Sequence, residues 1–177
     1  MNILSHKLIT TVVAGTFALA SAVALAQSAP NDAQIAGIVV AANTVDIDAG
    51  KLAQKMSQNA EVKAFAKQMV TDHTGVNKQA VALVTKLKVT PQESELSKSL
   101  KQGGDDNIAK LNALKGKAFD RAYIENEVVY HQAVIDALDK TLIPNAKNAE
   151  LKETLVKVRP AFVAHLEHAK HLQASLK

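Results

Sequence analysis

Residues 149–175 read AELKETLVKVRPAFVAHLEHAKHLQAS, and this stretch decides the fold. Leu151, Leu155, Val158, Phe162, His165, Ala169 and Leu172 follow one another at steps of three and four, which makes a single inward seam on a long helix. Three Lys, three Glu and Arg159 lie among the other positions. Pro160 lies inside the run; it lacks an N–H and crowds the carbonyl of Val156, so a kink near 156–160 is expected. A stop is not, because the seam resumes in phase.

The same period repeats upstream. The run 117–141 carries Ile124, Val128, His131, Ile135 and Leu138 on one stripe, and Ile143-Pro144-Asn145 is expected to end it. The run 61–88 carries Val62, Phe65, Met69, His73, Val76, Ala80, Leu83 and Leu87. The run 31–56 carries Ile35, Ile38, Ala42, Val45, Ala49, Leu52 and Met56; Ser57-Gln58-Asn59 then breaks it, with Asn59 as the next N-cap. Between the second and third runs, Thr90-Pro91 reads as a cap and first turn of a shorter helix to about Lys101. Gly103-Gly104 reads as a breaker, and Asp105-Asp106 as the start of another short turn. The expectation is an all-α four-helix bundle with short extra helices in the connection between the second and third long helices.

Composition agrees. The 177 residues include no Cys, no Trp, four Phe and two Tyr, with seven Gly and four Pro. Without Cys there are no disulfides, iron–sulfur clusters, thiolate metal sites or thiol nucleophiles. The scarcity of aromatic residues argues against single-strand nucleic-acid binding through stacking.

Residues 1–26 read MNILSHKLITTVVAGTFALASAVALA. Lys7 precedes an apolar stretch from Leu8 to Leu25, Ala24-Leu25-Ala26 fits a signal peptidase, and Gln27-Ser28 turns polar. We read a cleaved secretory signal peptide, leaving 27–177 as a single helical domain exported to a bacterial periplasm, with association at the outer membrane in view. The leader holds one Lys and no acid, so its removal lowers the formal charge from +4 to +3. Lys residues are dispersed among acids, which argues against a nucleic-acid partner. No later stretch is long and uncharged enough to span a membrane. The expected partners are envelope components, and the sequence sets no oligomeric state.

Three of the five histidines after the leader lie on the apolar stripes. His73, His131 and His165 each stand three or four residues from apolar stripe neighbours, near the middle of their helices. Helices of similar length bring their middles to one level, so three imidazoles from three helices converge in the interior. Glu127 lies one turn before His131, with Tyr123 one turn earlier, and Asp48 is near the middle of the first helix. Asp72 is turned about 100° from His73. His168 and His171 read as a solvated flank, Asp105-Asp106 as caps and Asp120 as a first-turn acid.

Buried imidazoles need partners, and two readings stay open: a mutually satisfied hydrogen-bonded network, or a metal centre. The paired Glu-x-x-His of di-iron bundles is absent, since Val70, Val128 and Phe162 stand three before the histidines. A mononuclear site for a divalent transition metal, built from His73, His131, His165, Glu127 and Asp48, fits Zn, Cu, Fe or Ni. No nucleophile elbow, phosphate loop, dinucleotide fingerprint or His-Glu-x-x-His occurs, so no catalytic residue is assigned and the balance leans away from an enzyme.

Taken together, Asp48-Ala-Gly-Lys-Leu-Ala53, Val62-Lys-Ala-Phe-Ala66, Met69-Val-Thr-Asp-His73, Phe119-Asp120-Arg-Ala-Tyr123, His131 and Pro160-x4-His165-Leu166 resemble the bacterial exported family called domain of unknown function 4142, DUF4142. The resemblance covers about residues 31–173. It implies a ferritin-like bundle and an envelope location, and no reaction. The family's histidine positions fall on His73, His131 and His165, and Asp48 stands where members often carry Glu. The first expectation is a non-catalytic envelope binding or stress-response protein with a buried His/carboxylate centre. The alternatives are a metal-dependent oxidoreductase or storage protein, and a purely structural or interaction module.

Overall fold

The computed structural model describes residues 29–176, so the expected signal peptide lies outside the described residues. Helices α1 (Asp32–Met56), α2 (Ala60–Lys86), α3 (Glu95–Asn112), α4 (Gly116–Ala137), α5 (Ile143–Asn145) and α6 (Ala149–Ser175) follow in order, with a π-helical turn at Leu138–Leu142 between α4 and α5. No strand occurs among the described residues. None of the described helices is long and apolar enough to cross a membrane.

Asparagine starts three of the four long helices. Asn31 accepts from the Gln34 N–H while the Gln34 side chain takes the Asn31 N–H, a reciprocal capping box. Asn59 accepts from the amides of Glu61 and Val62, and Asn148 from those of Glu150 and Leu151. The Asp32 carboxylate also takes the amides of Lys147 and Asn148, tying the start of α1 to the start of α6.

Four long helices close a ring: α1 packs on α2, α2 on α6, α6 on α4 and α4 on α1. Helix α3 lies outside that ring, mainly against α1. The interior has two apolar clusters. One gathers Ile35, Ile38, Ile135, Leu138, Leu155 and Phe162; the other gathers Ala53, Phe65, Met69, Phe119, Tyr123 and Leu172. A polar layer of Asn43, Asp46, His73, Glu127, His131 and His165 is buried on the same inward faces. Its six groups gain nothing from apolar burial, so they are there for their chemistry or for the order they impose.

The connection between α2 and α4 differs from the sequence expectation. Thr90-Pro91 does not start a helix; Ser94 does, through a capping box with Ser97. Instead the Gln92 amide donates to the Ala33 carbonyl at 2.9 Å, laying the loop across α1. The close approach needs Gly37, where a methyl group would overlap the Gln92 carbonyl oxygen. Gly103-Gly104 does not break the chain either: α3 runs through both, and Asp105-Asp106 lie inside it. A β-carbon on Gly104 would meet Val45 of α1 at 2.8 Å, so this glycine serves helix–helix contact, and packing overrides its poor helix propensity.

Ile143-Pro144-Asn145 does not end the third long helix at Thr141. Pro144 cannot donate an amide and its ring crowds the carbonyl of Lys140. The chain widens by one residue, with the Ile143 amide donating to Leu138, and continues as helix to Asn145. Helix α6 runs unbroken through Pro160.

Candidate metal centre

Each of the four long helices sends at least one group into the polar layer. His73 comes from α2, His131 and Glu127 from α4, His165 from α6, and the acid of α1 is Asp46. Asp48 is not brought into the layer. It is exposed and pairs with Lys51 at 3.4 Å on the surface. Two residues along a helix turn a side chain by about 200°, so Asp46 and Asp48 face opposite ways. Asp46 lies four after Ala42 and three before Ala49, the spacing that picks out the histidines, and that signal was present in the sequence. It was obscured because α1 packs on α2, α3 and α4, so its apolar surface is wider than one stripe.

Every histidine in the layer has one ring nitrogen anchored to a group that only accepts. His73 Nδ1 donates to Asn43 Oδ1 at 2.7 Å, and Asn43 is itself oriented by donating through Nδ2 to the Val39 carbonyl at 2.7 Å. His131 Nδ1 donates to the Glu127 carbonyl at 3.0 Å. His165 Nε2 donates to the Asp72 carboxylate at 2.9 Å. These partners fix the tautomers and leave the lone pairs of His73 Nε2, His131 Nε2 and His165 Nδ1 bare. All three atoms are buried without a hydrogen-bond partner. One nitrogen from each of the three rings lies within 4.8 Å of the other two.

The Asp46 carboxylate enters the same space. Its Oδ2 lies 2.7 Å from His73 Nε2 and 3.4 Å from His131 Nε2, yet neither of its oxygens is aligned for a hydrogen bond. A separation of 2.7 Å is that of a hydrogen-bonded pair, so either a proton on His73 Nε2 or a cation held by both groups satisfies it. Imidazoles and a carboxylate, each imidazole held from behind by an outer acceptor, are the donor types that could hold a metal ion. On the far side, Asp46, Glu127 and His131 form a second close group, with Glu127 Oε2 3.4 Å from His131 Nδ1. Tyr123 is buried beside it and its hydroxyl is also unpartnered.

Electrostatics sort the acids. Burial pushes the Asp46 carboxyl up, but the combined pull of His73, His131 and His165 prevails and holds it below the ordinary value. Glu127 goes the other way: burial and then the Asp46 charge raise it well above the usual range, favouring its protonated form. Burial, then the charges of Glu127 and Asp46, raise the Tyr123 hydroxyl. Burial lowers His131 to about 4 and also lowers His165, against the opposing pull of Asp72. The layer thus sets a carboxylate held toward its charged form beside two imidazoles, His131 and His165, whose burial opposes protonation.

Sequence reasoning missed Asn43, and it placed Asp72 off the stripe without a role. Asp72 does lie at the rim, and its carboxylate reaches across to α6. Asp120, read as a first-turn acid, is buried with Oδ1 unpartnered. His168 and His171 are exposed.

The class is an all-α bundle of four long helices with a His/carboxylate layer in its core. The chain belongs to the DUF4142 family, a domain of unknown function, whose family model matches residues 17–172. A solved structure described as CopM in the Cu(II)-bound form shares the fold, with a TM-score of 0.67 at 14% identity, covering 84% of this chain and 99% of that one. No curated protein matches the sequence.

Proposed function

We propose that this protein is an exported, non-catalytic binder of a divalent transition-metal ion, with Cu(II) the first choice, acting in the bacterial envelope. The observation that carries this reading is the convergence of three buried imidazoles from three helices, one nitrogen each of His73, His131 and His165 lying within 4.8 Å of the others, beside a second such group of Asp46, Glu127 and His131. His73, His131 and His165 supply three donors, Asp46 Oδ2 lies 2.7 Å and 3.4 Å from the first two, and the burial of all four side chains leaves little room for a substrate. That favours holding an ion over transforming a ligand. Imidazole and carboxylate donors without thiolate suit Cu(II), Zn(II), Fe or Ni(II). The Cu(II)-bound form of a bundle with the same fold supports copper among these. The apolar leader with its Ala24-Leu25-Ala26 supports export and an envelope role.

The test is metal analysis of untagged protein prepared from the periplasm, followed by titration of the metal-free chain with Cu(II) and electron paramagnetic resonance. The expected result is about one tightly bound ion per chain with nitrogen couplings from imidazoles, and loss of that signal in His165→Gln. A chain that unfolds at the same temperature with and without Cu(II) would instead leave the layer as a structural network.

A further inference from the structure

The buried donors are sealed to different degrees. The side chains of Asp46 and His131 are 0% exposed and those of His73 and Glu127 1%, while His165 retains 4%. Its anchor Asp72 is 42% exposed. The layer therefore meets solvent at the Asp72–His165 hydrogen bond, on the seam between α2 and α6.

Helix α6 carries histidines at three-residue steps: His165, His168 and His171. Each step rises about 4.5 Å and turns about 60° back around the helix, so the row winds from the buried seam onto the surface. His168 and His171 are exposed. The His168 ring stands edge-on to Phe65 of α2, with centroids 5.1 Å apart, which places it on the same α2–α6 seam as the Asp72–His165 pair. The neighbouring cation Lys170 is paired with Glu167 at 2.9 Å. Residues three apart on a helix surface are neighbours, and two imidazoles so spaced offer two nitrogens to one ion.

We propose that His168 and His171 form a weak surface capture site for the same divalent ion, and that the ion passes from it to the buried centre at the Asp72–His165 seam. This rests on the reading of the buried layer as a metal centre. The transfer is a ligand exchange: a surface imidazole nitrogen releases the ion, His165 Nδ1 takes it, and the proton on His165 Nε2 stays on Asp72's hydrogen bond. No electron moves. A surface site raises the local concentration of the ion at the entrance. It speeds loading and release alike and leaves the affinity of the buried centre unchanged.

The experiment compares the wild-type chain with the double variant His168→Gln/His171→Gln, both metal-free and both titrated with Cu(II) alone. These positions are exposed, so the variant folds. The expected result is a weak second class of Cu(II) in the wild type that the variant lacks, with uptake into the buried centre slowed roughly tenfold and its affinity unchanged. An unchanged uptake rate overturns the relay whatever the stoichiometry. A wild-type chain that takes up no Cu(II) in its core overturns the metal-centre reading, and the relay with it.

Discussion

Asp46 and Asp48 stand on opposite sides of α1, the first fully buried against His73 and the second exposed beside Lys51. Their contrast is a direct test of the centre. Asp46→Asn keeps the shape and removes the charge; it should lower Cu(II) affinity by about 100-fold or more. Asp48→Asn should change it by less than about twofold, since exposed charges contribute little. Competition titration against a chelator of known affinity measures both.

Glu127 gives a stability signature in the metal-free protein. Its folded pKa lies well above 4.5, so the folded chain holds a proton that the unfolded chain releases. That contribution is fully present below pH 4.5 and is lost as the pH rises. Glu127→Gln imitates the protonated acid. Its melting temperature should match the wild type below pH 4.5 and exceed it at pH 7. A wild type that equals or outlasts the variant at pH 7 would contradict a raised Glu127.

His131 acts in the opposite sense. Its folded pKa is about 4 against an ordinary 6.5, because burial disfavours the imidazolium. At pH 7 both states are neutral and nothing is lost. As the pH falls through 6.5 the unfolded chain takes up a proton first, and stability declines until about pH 4, by roughly 3 kcal/mol at most. Glu127 works against this slope over the same range, so denaturant titrations of metal-free protein between pH 7 and pH 4 should show the decline as a loss of wild-type stability relative to His131→Leu.

Asp72 latches the His165 ring from outside the layer. In Asp72→Ala the Nε2–H loses its acceptor and the ring is free to turn, so bound Cu(II) should dissociate roughly tenfold faster. Stopped-flow transfer to a chelator reads that rate directly. Melting of the metal-free chain should barely move, because the Asp72 side chain is 42% exposed.

Two glycines probe the packing. Gly37→Ala drives a methyl group into the Gln92 carbonyl and should destabilise the chain by about 1–3 kcal/mol. Gly75→Ala, in α2, meets nothing within 4 Å and should stabilise by about 0.5–1 kcal/mol. Thermal unfolding of the pair separates local crowding from the general effect of removing a glycine.

The long helices were legible because each repeats its apolar period over about four turns or more and three of the four begin at a capping Asn; the α6 bounds read from the sequence, 149–175, are those of the structure. His73, His131 and His165 were legible for the same reason. Asp46 was not, because α1 is covered on several sides and a broad apolar surface has no sharp phase. The run Gly103-Gly104 was misleading: glycine's local preference says break, while the contact with Val45 rewards a side chain of no size. Asp72 was out of reach of periodicity, since its partner lies 93 residues away on another helix.

The donors of the centre are scattered from Asp46 to His165, one or more on each long helix. An extended chain holds them too far apart to share an ion, and any half of the bundle holds too few. On the metal-centre reading, selection of an ion is deferred until the last helix docks, and the ions kept free in the compartment where the chain folds decide which one it takes.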